Sequence, residues 1–321
     1  MFKKTLFLLP VALLSLCAFA FASAYGGKKI LYVNSYHEGY AWSDEITAGI
    51  QSVLKGTDIH LKILDMDTKR NTSEEFKNEA GSAAKRTIDA FNPDIVITSD
   101  DNAFKYVIMP YYRDAGLPVV FCGLNWDASI YGAPYKNTTG MIEVALIPQL
   151  LEQLRQYTRG DRVGYLAADV LTARKEGEYY RKLFKLAIQE VYVKTFDEWK
   201  AAFVDIQKDI DMLIVGNNAG INDWDDKGAA VFAQKNTKIP TGVIYNWLMP
   251  YSLLGFTKVE KEQGEWAARA ALRILDGTSP SDIPVVRNKE GNLILNLAIA
   301  DRLGVVFSLS MVRNATIIDK E

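Results

Sequence analysis

The sequence contains few cysteines and histidines, and this scarcity excludes several kinds of site. Its cysteines are Cys17 and Cys122, and its histidines are His37 and His60. Cys17 lies in an N-terminal segment that we expect to be removed, which leaves Cys122 without a partner for an internal disulfide. Two histidines without paired cysteines do not make a cluster of zinc ligands. The sequence therefore predicts neither a disulfide framework nor a metal site.

Two other absences narrow the range of functions. There is no glycine-rich phosphate loop of either nucleotide-binding pattern and no G-x-S-x-G nucleophile elbow. Acidic residues slightly outnumber basic ones, with 39 Asp and Glu against 37 Lys and Arg, whereas nucleic-acid binding needs a basic face. We therefore expect no cofactor and no nucleic-acid partner.

The longest apolar run stands at the N-terminus, where Leu6–Phe21 follows two lysines and precedes the small residues Ala22–Ala24. This order is typical of a secretory signal peptide, and the run is shorter than the ~20 apolar residues that cross a bilayer. We predict that residues 1–24 are cleaved on export to the periplasm, which leaves a mature chain with a net charge of −4. The alternative is a lipoprotein signal with Cys17 as the lipidated residue, which the bulky Leu16 before it disfavours.

Apolar runs alternate with helical patterns along the first half of the chain. The predicted strands are Ile30–Asn34, Leu61–Leu64, Asp94–Thr98 and Pro118–Cys122. Ile30–Asn34 and Asp94–Thr98 are apolar runs rich in branched residues, as buried strands are. The stretches between them carry apolar residues at helical spacing. Strands that alternate with helices indicate a parallel sheet with right-handed crossovers. We therefore predict an α/β domain in this half.

The second half repeats the same order of elements. Its predicted strands are Arg162–Ala167, Glu190–Phe196, Asp211–Val215 and Pro240–Ile244. The fold class predicted from this repetition is α/β, with two similar three-layer domains whose parallel sheets are joined by a multi-strand hinge. The expected organisation is an N-terminal lobe at 25–140, a C-terminal lobe at 141–254, a segment near 255–280 that returns to the first lobe, and a hinge return with the C-terminal segment at 281–321.

In an open α/β sheet, ligands bind beyond the carboxyl ends of the strands. The loops that follow the predicted strands are rich in aromatic, amide and carboxylate side chains, and two facing lobes would present them to a shared cleft. Aromatic side chains provide apolar walls, and a few polar groups fix the orientation of a ligand. The candidate ligand-binding residues are Ser35, Tyr36, His37, Tyr40, Trp42, Asp100, Asp101, Asn102, Asn125 and Trp126 in the first lobe, and Asp169, Asn217, Asn218, Asn246 and Trp247 in the second.

These residue types favour an amino-acid-like ligand, with aromatic amino acids among the candidates. Asp100, Asp101 or Asp169 could bind an ammonium group, and backbone amides at helix N-termini could bind a carboxylate. The alternative is that a share of these Asp, Asn and Ser residues only cap helices, as such residues commonly do. Trp42 could likewise be a core anchor at the start of a helix.

An enzymatic alternative rests on Cys122 and His37. Both residues fall near strand ends of the first lobe, where a thiolate and an imidazole could form a nucleophile and its base. Cys122 also ends the apolar run Val119–Cys122, which favours a buried core position. We therefore predict no catalytic residues and a non-enzymatic protein, with the Cys122 and His37 pair as the alternative.

Several segments of the chain resemble extracytoplasmic solute-binding proteins of the type I periplasmic-binding-protein fold. The similarity is to the ABC-transporter substrate-binding branch that includes tryptophan- and tyrosine-binding members. Related domains also occur in the extracytoplasmic parts of sensor kinases. The segments that carry the resemblance are Val33–Trp42 with Glu45–Ile50, Asn246–Asp276, Ser281–Pro284 and Leu293–Val305.

The resemblance implies a two-lobed binding protein that encloses a small molecule and delivers it to the membrane permease of an ABC transporter. The alternative role is that of a ligand-sensing partner of a membrane receptor kinase. We expect a monomer in either role. Gly123–Trp126 is bulkier and Trp247–Pro250 more apolar than in amino-acid-binding members, so the ligand could differ from theirs. The positions that match the family's ligand contacts are Ser35–His37, Asp100–Asn102, Asn217, Asn218 and Asn246.

Overall fold

The computed structural model of the protein describes residues 25–318, in which strands and helices alternate along most of the chain. The predicted signal peptide and the lipidation alternative at Cys17 lie outside these residues. Among the described residues, no helix has both the length and the apolar composition needed to span a bilayer.

The strands in the first part of the chain are mostly buried, except for the edge strand His60–Asp65, whose residues are exposed or half-buried. Its elements are β1 (Lys29–Asn34), α1 (Ala41–Leu54), β2 (His60–Asp65), α2 (Glu74–Phe91), β3 (Ile95–Ser99), α3 (Asp100–Ala103), a π-helical turn (Phe104–Ile108), α4 (Met109–Tyr111), β4 (Val119–Asn125), a 3-10 turn (Ala128–Tyr131) and β5 (Thr138–Glu143). Ser73 begins α2, since its side chain accepts a hydrogen bond from the N–H of Phe76 at 3.2 Å. Every residue of β3 and β5 is buried, as expected where helices cover both faces of a sheet.

The middle of the chain repeats this alternation. Its elements are α5 (Ile147–Arg155), β6 (Val163–Ala168), α6 (Leu171–Phe184), β7 (Ile188–Val193), α7 (Phe196–Ile206), β8 (Met212–Val215), α8 (Asp226–Asn236), β9 (Thr241–Val243), a 3-10 helix (Asn246–Tyr251) and β10 (Leu254–Lys258). The strand predicted at Glu190–Phe196 starts and ends earlier than expected. Thr195 caps a helix there, because its side chain accepts a hydrogen bond from the N–H of Glu198 at 3.2 Å, so Phe196 is the first residue of α7.

The last part of the chain contributes to both sheets. Its elements are α9 (Glu260–Leu275), a 3-10 turn (Pro280–Asp282), β11 (Val286–Arg287), β12 (Gly291–Asn296), α10 (Leu297–Leu303), α11 (Leu309–Asn314) and β13 (Thr316–Ile318). The segment near 255–280 is divided between the lobes: β10 pairs in the second sheet, whereas α9 packs against α1 of the first lobe.

The strands form two sheets, and each sheet is the centre of one lobe. The first sheet has the order β11-β5-β4-β3-β1-β2 and is parallel throughout its described pairs. The second has the order β13-β12-β10-β9-β8-β6-β7, and its β10–β12 pair is antiparallel. The predicted α/β class, with a two-domain layout and mostly parallel sheets, is confirmed.

Each sheet lies between two layers of helices. In β1, Ile30 and Tyr32 pack with α1 and α9 on one face, whereas Leu31 and Val33 pack with α2 on the other, because successive strand residues point to opposite faces. In the second lobe, one face packs against α5 and α6 and the other against α7 and α8. These cores hold the strand ends, and therefore the loops beyond them, in fixed positions.

The chain crosses between the lobes three times, namely between β5 and α5, between β10 and α9, and between β11 and β12. The buried Asn288 ties two of the crossings together. Its Oδ1 accepts a hydrogen bond from the N–H of Val144 at 2.8 Å, and its Nδ2 donates to the carbonyl of Val144 at 3.2 Å. Glu262 at the start of α9 accepts hydrogen bonds from the N–H groups of Lys289 and Glu290. Any relative motion of the lobes would have to bend the chain at these crossings.

Candidate functional site

A cavity of about 400 Å³ lies between the lobes, and both lobes line it. It sits beyond the carboxyl ends of β1, β3, β4, β5, β9 and β10, where an open α/β sheet binds its ligands. Its volume is in the range of sites that enclose a small molecule. The lining residues are Tyr36, Tyr40, Trp42, Asp100, Asn125 and Glu143 from the first lobe, Ile244, Tyr245, Asn246, Trp247, Thr257, Lys258 and Asn292 from the second, and Glu260 at the start of α9.

Two pairs of aromatic rings form walls of the cavity, one pair in each lobe. The rings of Tyr36 and Tyr40 meet edge to face with centroids 5.4 Å apart, in the loop after β1. The rings of Tyr245 and Trp247 stack with centroids 4.5 Å apart, in the turn after β9. Trp247 is 56% exposed, so it presents a large apolar surface that a ligand could cover.

Asp100 is the buried acidic group of the site. It is 2% exposed, and its Oδ1 accepts a hydrogen bond from the indole N–H of Trp42 at 2.9 Å. Its Oδ2 has no hydrogen-bond partner among the described residues. Burial, together with the nearby Glu143 carboxylate, raises the pKa of Asp100 well above its usual range. A buried acceptor without a donor is unfavourable, so this oxygen is suited to receive a donor from a ligand.

The backbone around Asp100 explains how its carboxyl group is placed. Asp100 has a φ of +66°, in the left-handed region that Asp and Asn tolerate better than most residues. Gly123 lies beside it, and a Cβ at that position would come within 3.3 Å of both the Asp100 N and its Oδ1. The Gly123 N–H donates to Oε1 of the buried Gln263 at 3.0 Å, which ties this corner of the site to α9.

An ion pair joins the lobes at the edge of the cavity. Glu143 is the last residue of β5 and Lys258 the last residue of β10, and the Lys258 ammonium donates a hydrogen bond to the Glu143 carboxylate. Both side chains are largely buried, with 10% and 22% of their surfaces exposed. The same ammonium lies 5.3 Å from the centroid of the Trp42 ring. The pair therefore connects two strands that each lead into a crossing.

A second buried carboxyl group supports the wall of the second lobe. Glu176 of α6 accepts a hydrogen bond from the Tyr165 hydroxyl at 2.9 Å and another from the Tyr245 hydroxyl. Burial raises the pKa of Glu176, although both hydrogen bonds act in the opposite direction. The bond to Tyr245 holds that ring in the cavity wall, in the stacked position against Trp247.

A family model for ABC transporter substrate-binding proteins matches residues 37–318. The chain belongs to this family. No curated protein matches it.

Among solved structures, the chain is similar to a ligand-free, open substrate-binding protein with adhesive properties from Clostridium difficile. The TM-score is 0.68, with 16% identity over 92% of this chain and 100% of that one.

Two further structures have the same fold as this substrate-binding protein. One is a Streptococcus pneumonia ABC domain in complex with L-Trp, with a TM-score of 0.51 and 17% identity over 91% of this chain and 99% of that one. The other is a periplasmic ribose ABC transporter protein from Conexibacter woesei, with a TM-score of 0.55 and 17% identity over 92% and 99% of the two chains. At these identities the likeness establishes the type I periplasmic-binding-protein fold.

The structure brings seven of the residues predicted from the sequence into the cavity of this substrate-binding protein, and they come from both lobes. They are Tyr36, Tyr40, Trp42, Asp100, Asn125, Asn246 and Trp247.

Apart from Trp126, four predicted residues of the first lobe lie outside the cavity because they stabilise its loops. The Ser35 hydroxyl donates to the carbonyl of Ser99 at 2.5 Å, and Asn102 donates to Thr68 at 2.8 Å. The Asp101 carboxylate accepts from the Asn125 amide at 2.6 Å and from the Tyr131 hydroxyl at 3.0 Å, so it positions a lining residue. The His37 ring lies 2.8 Å from the carbonyl of Glu38 through its Nδ1.

The remaining predicted residues also lie outside the cavity. Asp169 pairs with Arg174 at 2.6 Å, while the Asn217 side chain accepts a hydrogen bond from the N–H of Ala219 at 2.9 Å. Asn218 follows Asn217 in the same turn, where its carbonyl accepts from the N–H of Ile221. These polar groups form hydrogen bonds with the local backbone or an ion pair, which is the capping and turn role that such residues commonly have.

Trp126 stacks on Tyr179 of the second lobe instead of lining the cavity.

Reasoning from the sequence missed several lining residues. Glu143 and Lys258 end strands at the cleft, and the rule on carboxyl ends of strands could have found them. Asn292 stands at the amino end of β12, which reaches the cleft only because this strand is antiparallel to β10. The local sequence contains no pattern that predicts this antiparallel direction. Tyr245 also lines the cavity, beside the predicted residues Asn246 and Trp247.

The structure does not support a catalytic pair of Cys122 and His37. Cys122 has no exposed surface, and its thiol donates weakly to the carbonyl of Thr98 at 3.5 Å. Burial, with Asp100 and Glu143 nearby, raises the pKa of the Cys122 thiol well above its usual range, which disfavours the thiolate. Within residues 25–318, no group of three or more His, Cys, Asp or Glu side chains is arranged to hold a metal ion.

Proposed function

We propose that this protein captures a small molecule between its two lobes, closes on it and delivers it to the membrane permease of an ABC transporter. The observation that carries the proposal is a cavity lined by both lobes, in which one oxygen of the buried Asp100 has no hydrogen-bond partner in the described part of the chain. The family to which the chain belongs consists of substrate-binding proteins, which supports the transport role.

The capture mechanism follows from the division of the contacts. Asp100 and Tyr36 belong to the first lobe, whereas Tyr245 and Trp247 belong to the second, so a ligand that touches all of them stabilises the closed arrangement. The three crossings permit bending and restrict sliding, so the closed arrangement is well defined. We propose that the permease recognises this closed form of a monomeric, exported protein.

The ligand that we propose carries a nitrogen with N–H donors and an apolar, preferably aromatic, body. The free Oδ2 of Asp100 accepts the donor, and the ring pairs of Tyr36 with Tyr40 and of Tyr245 with Trp247 enclose the body. The similarity to a structure in complex with L-Trp supports an aromatic amino acid or a related amine.

A thermal-shift screen of the mature protein tests this function. The panel contains the amino acids, small amines and sugars, because a compound present at 100 times its Kd stabilises the folded protein by about 2.7 kcal/mol. We expect a shift with at least one class and a smaller shift in the Trp247→Ala variant. If no class of compound shifts the melting temperature and small-angle scattering finds no closure with any of them, capture in this cleft is ruled out.

A further inference from the structure

The charged side chains that line the cavity are mostly acidic. Asp100, Glu143 and Glu260 bring three carboxyl groups, and Lys258 brings one ammonium. Lys258 is already paired with Glu143. Among the described residues no arginine or histidine lines the cavity. Among the described residues that line the cavity, an anionic ligand group would therefore meet carboxylates and no cation free of an acidic partner; the nearby Lys69 lies outside this lining.

The strongest donors in the cavity are also engaged by carboxylates. The Trp42 indole N–H donates to Asp100, the Asn125 amide donates to Asp101, and the Tyr245 hydroxyl donates to Glu176. The carboxylate of an amino acid would have to take one of these donors from an acid or rely on neutral groups such as the Asn246 amide. Such a carboxylate would lose its hydration without gaining an ion pair, which is unfavourable.

A cationic ligand group would instead find a carboxyl group that is able to accept its hydrogen bond. The Oδ2 of Asp100 is buried and has no hydrogen-bond donor within residues 25–318. Burial raises the pKa of the Tyr36 hydroxyl, and the nearby carboxyl groups of Asp100, Asp101 and Glu143 act in the same direction, so acidic groups surround this part of the cavity wall. An ammonium or amidinium group would supply the missing donor and reduce the repulsion between the carboxyl groups.

The ring faces of the cavity already attract ammonium groups of the protein itself. The Lys258 ammonium lies 5.3 Å from the centroid of Trp42. The Lys69 ammonium lies 5.1 Å from the centroid of Tyr36 and 5.0 Å from that of Tyr40. Cations are drawn to aromatic faces at such distances. The exposed Trp247, stacked on Tyr245, offers a further face in the second lobe.

From these observations we propose that the ligand is a small organic cation that carries N–H donors and no free carboxylate, such as an aromatic amine or a short diamine. This inference rests on the proposed function, because it concerns the occupant of the same cleft. Its ammonium or amidinium group binds Oδ2 of Asp100, and its body lies between the ring pairs of the two lobes. The cavity of about 400 Å³ suits a molecule of this size.

Matched pairs of compounds test the inference by isothermal titration of the mature protein. Tyramine is compared with L-tyrosine, tryptamine with L-tryptophan and cadaverine with L-lysine, so that each pair differs only by the carboxylate. We expect at least one amine to bind about tenfold or more tightly than its amino acid, because a carboxylate placed among acids is repelled. Ribose is included as a neutral ligand.

Three variants assign the binding to Asp100 and the ring wall. We expect Asp100→Asn to weaken the binding of the amine by about 30-fold, since a bound cation favours the ionised form of Asp100 and the amide of Asn cannot ionise. Asn also tolerates the left-handed backbone at this position, so the fold is retained. Trp247→Ala, a surface change, should weaken amine binding by about tenfold through the loss of a ring face. Asp161→Asn, which removes a carboxylate that pairs with Arg155 far from the cleft, should leave the Kd unchanged.

The outcomes separate this inference from the proposed function. If an amino acid binds more tightly than its amine, if ribose alone binds, or if Asp100→Asn leaves amine binding intact, the organic-cation inference is overturned while solute capture stands. If no amine, amino acid or sugar binds to the unmodified protein, both fail. Tighter binding of an amine that depends on Asp100 and Trp247 supports both.

Discussion

The indole ring of Trp126 lies flat against the phenol ring of Tyr179, with centroids 5.0 Å apart and an interplanar angle of 4°. Trp126 follows β4 in the first lobe, whereas Tyr179 belongs to α6 in the second. Leu183 and Phe184, at the end of α6, also pack against the core of the first lobe. The lobes are therefore held together by this contact as well as by the three crossings.

We expect Tyr179→Ala to loosen the contact between the lobes. A stacked aromatic pair is worth about 1 kcal/mol beyond the area that it buries, so the free energy of unfolding should fall by at least this amount. The radius of gyration measured by small-angle scattering should rise, because the lobes are released to separate. Tyr111→Ala is the control, since Tyr111 is an exposed tyrosine that contacts Ser82 of its own lobe. Equal radii for the two variants would contradict a role of this stack in closure.

The ion pair of Glu143 and Lys258 predicts that the loss of one charge destabilises the protein more than the loss of both. Lys258→Met leaves the largely buried Glu143 carboxylate without its partner, which should cost about 3 kcal/mol. The double variant Glu143→Gln with Lys258→Met removes both charges and should recover most of that loss. A double-mutant cycle with urea unfolding measures the coupling. Purely additive losses would mean that the two side chains do not interact in solution.

Much of the fold could be predicted from the sequence because most of the buried strands are short apolar runs bounded by polar residues. Ile30–Val33, for example, is wholly buried, as its composition indicates, and its strand lies between β2 and β3 in the sheet. The division of the segment after residue 254 could not be predicted. Gly264 permits α9 to pack on α1 of the first lobe, and this depends on a contact with a helix more than 200 residues earlier.

The candidate site could be predicted only in part, for a similar reason. The rule on strand ends leads to Tyr36, Trp42 and Asn246, but it cannot rank the neighbours Asp100 and Asp101. The left-handed backbone at Asp100 directs one carboxylate into the cavity and leaves the other to bind Asn125. Which of the two carboxyl groups faces the cavity depends on how closely β4 approaches Asp100. No local sequence pattern predicts that approach.

The packing of α9 on α1 predicts that a single added methyl group, in a glycine-to-alanine variant, strongly destabilises the protein. A Cβ at Gly264 would lie 2.0 Å from the carbonyl oxygen of Ile46, and one at Gly49 would lie 2.4 Å from that of Lys261. Backbone atoms cannot move aside as a flexible side chain can, so Gly264→Ala should destabilise the protein by about 2 kcal/mol or more. Gly116→Ala meets no atom within 4 Å and should change the midpoint of urea unfolding very little. Similar midpoints for both variants would show that the helices lie further apart than described.

The buried Asp100 predicts a characteristic dependence of stability on pH. Burial raises its folded-state pKa above the unfolded value of about 3.9, and the carboxyl groups of Glu143 and Asp101 act in the same direction. Between these two pKa values the folded state binds more protons than the unfolded state at this residue. The free energy of unfolding of the unmodified protein should therefore fall, relative to that of Asp100→Asn, as the pH rises from about 4 through the raised pKa.

Urea unfolding of both proteins between pH 4.5 and pH 8, at intervals of about half a pH unit, checks this sign, and each unit of pKa difference is worth about 1.4 kcal/mol. We expect Asp100→Asn to become the more stable of the two as the pH approaches neutrality, although it has lost the acceptor for the ligand. The control Asp161→Asn should follow the unmodified protein throughout, because Asp161 is exposed. A curve for Asp100→Asn that stays parallel to the others would mean that Asp100 ionises as freely in the folded protein as in water, and that its carboxylate is not held in a desolvated cleft.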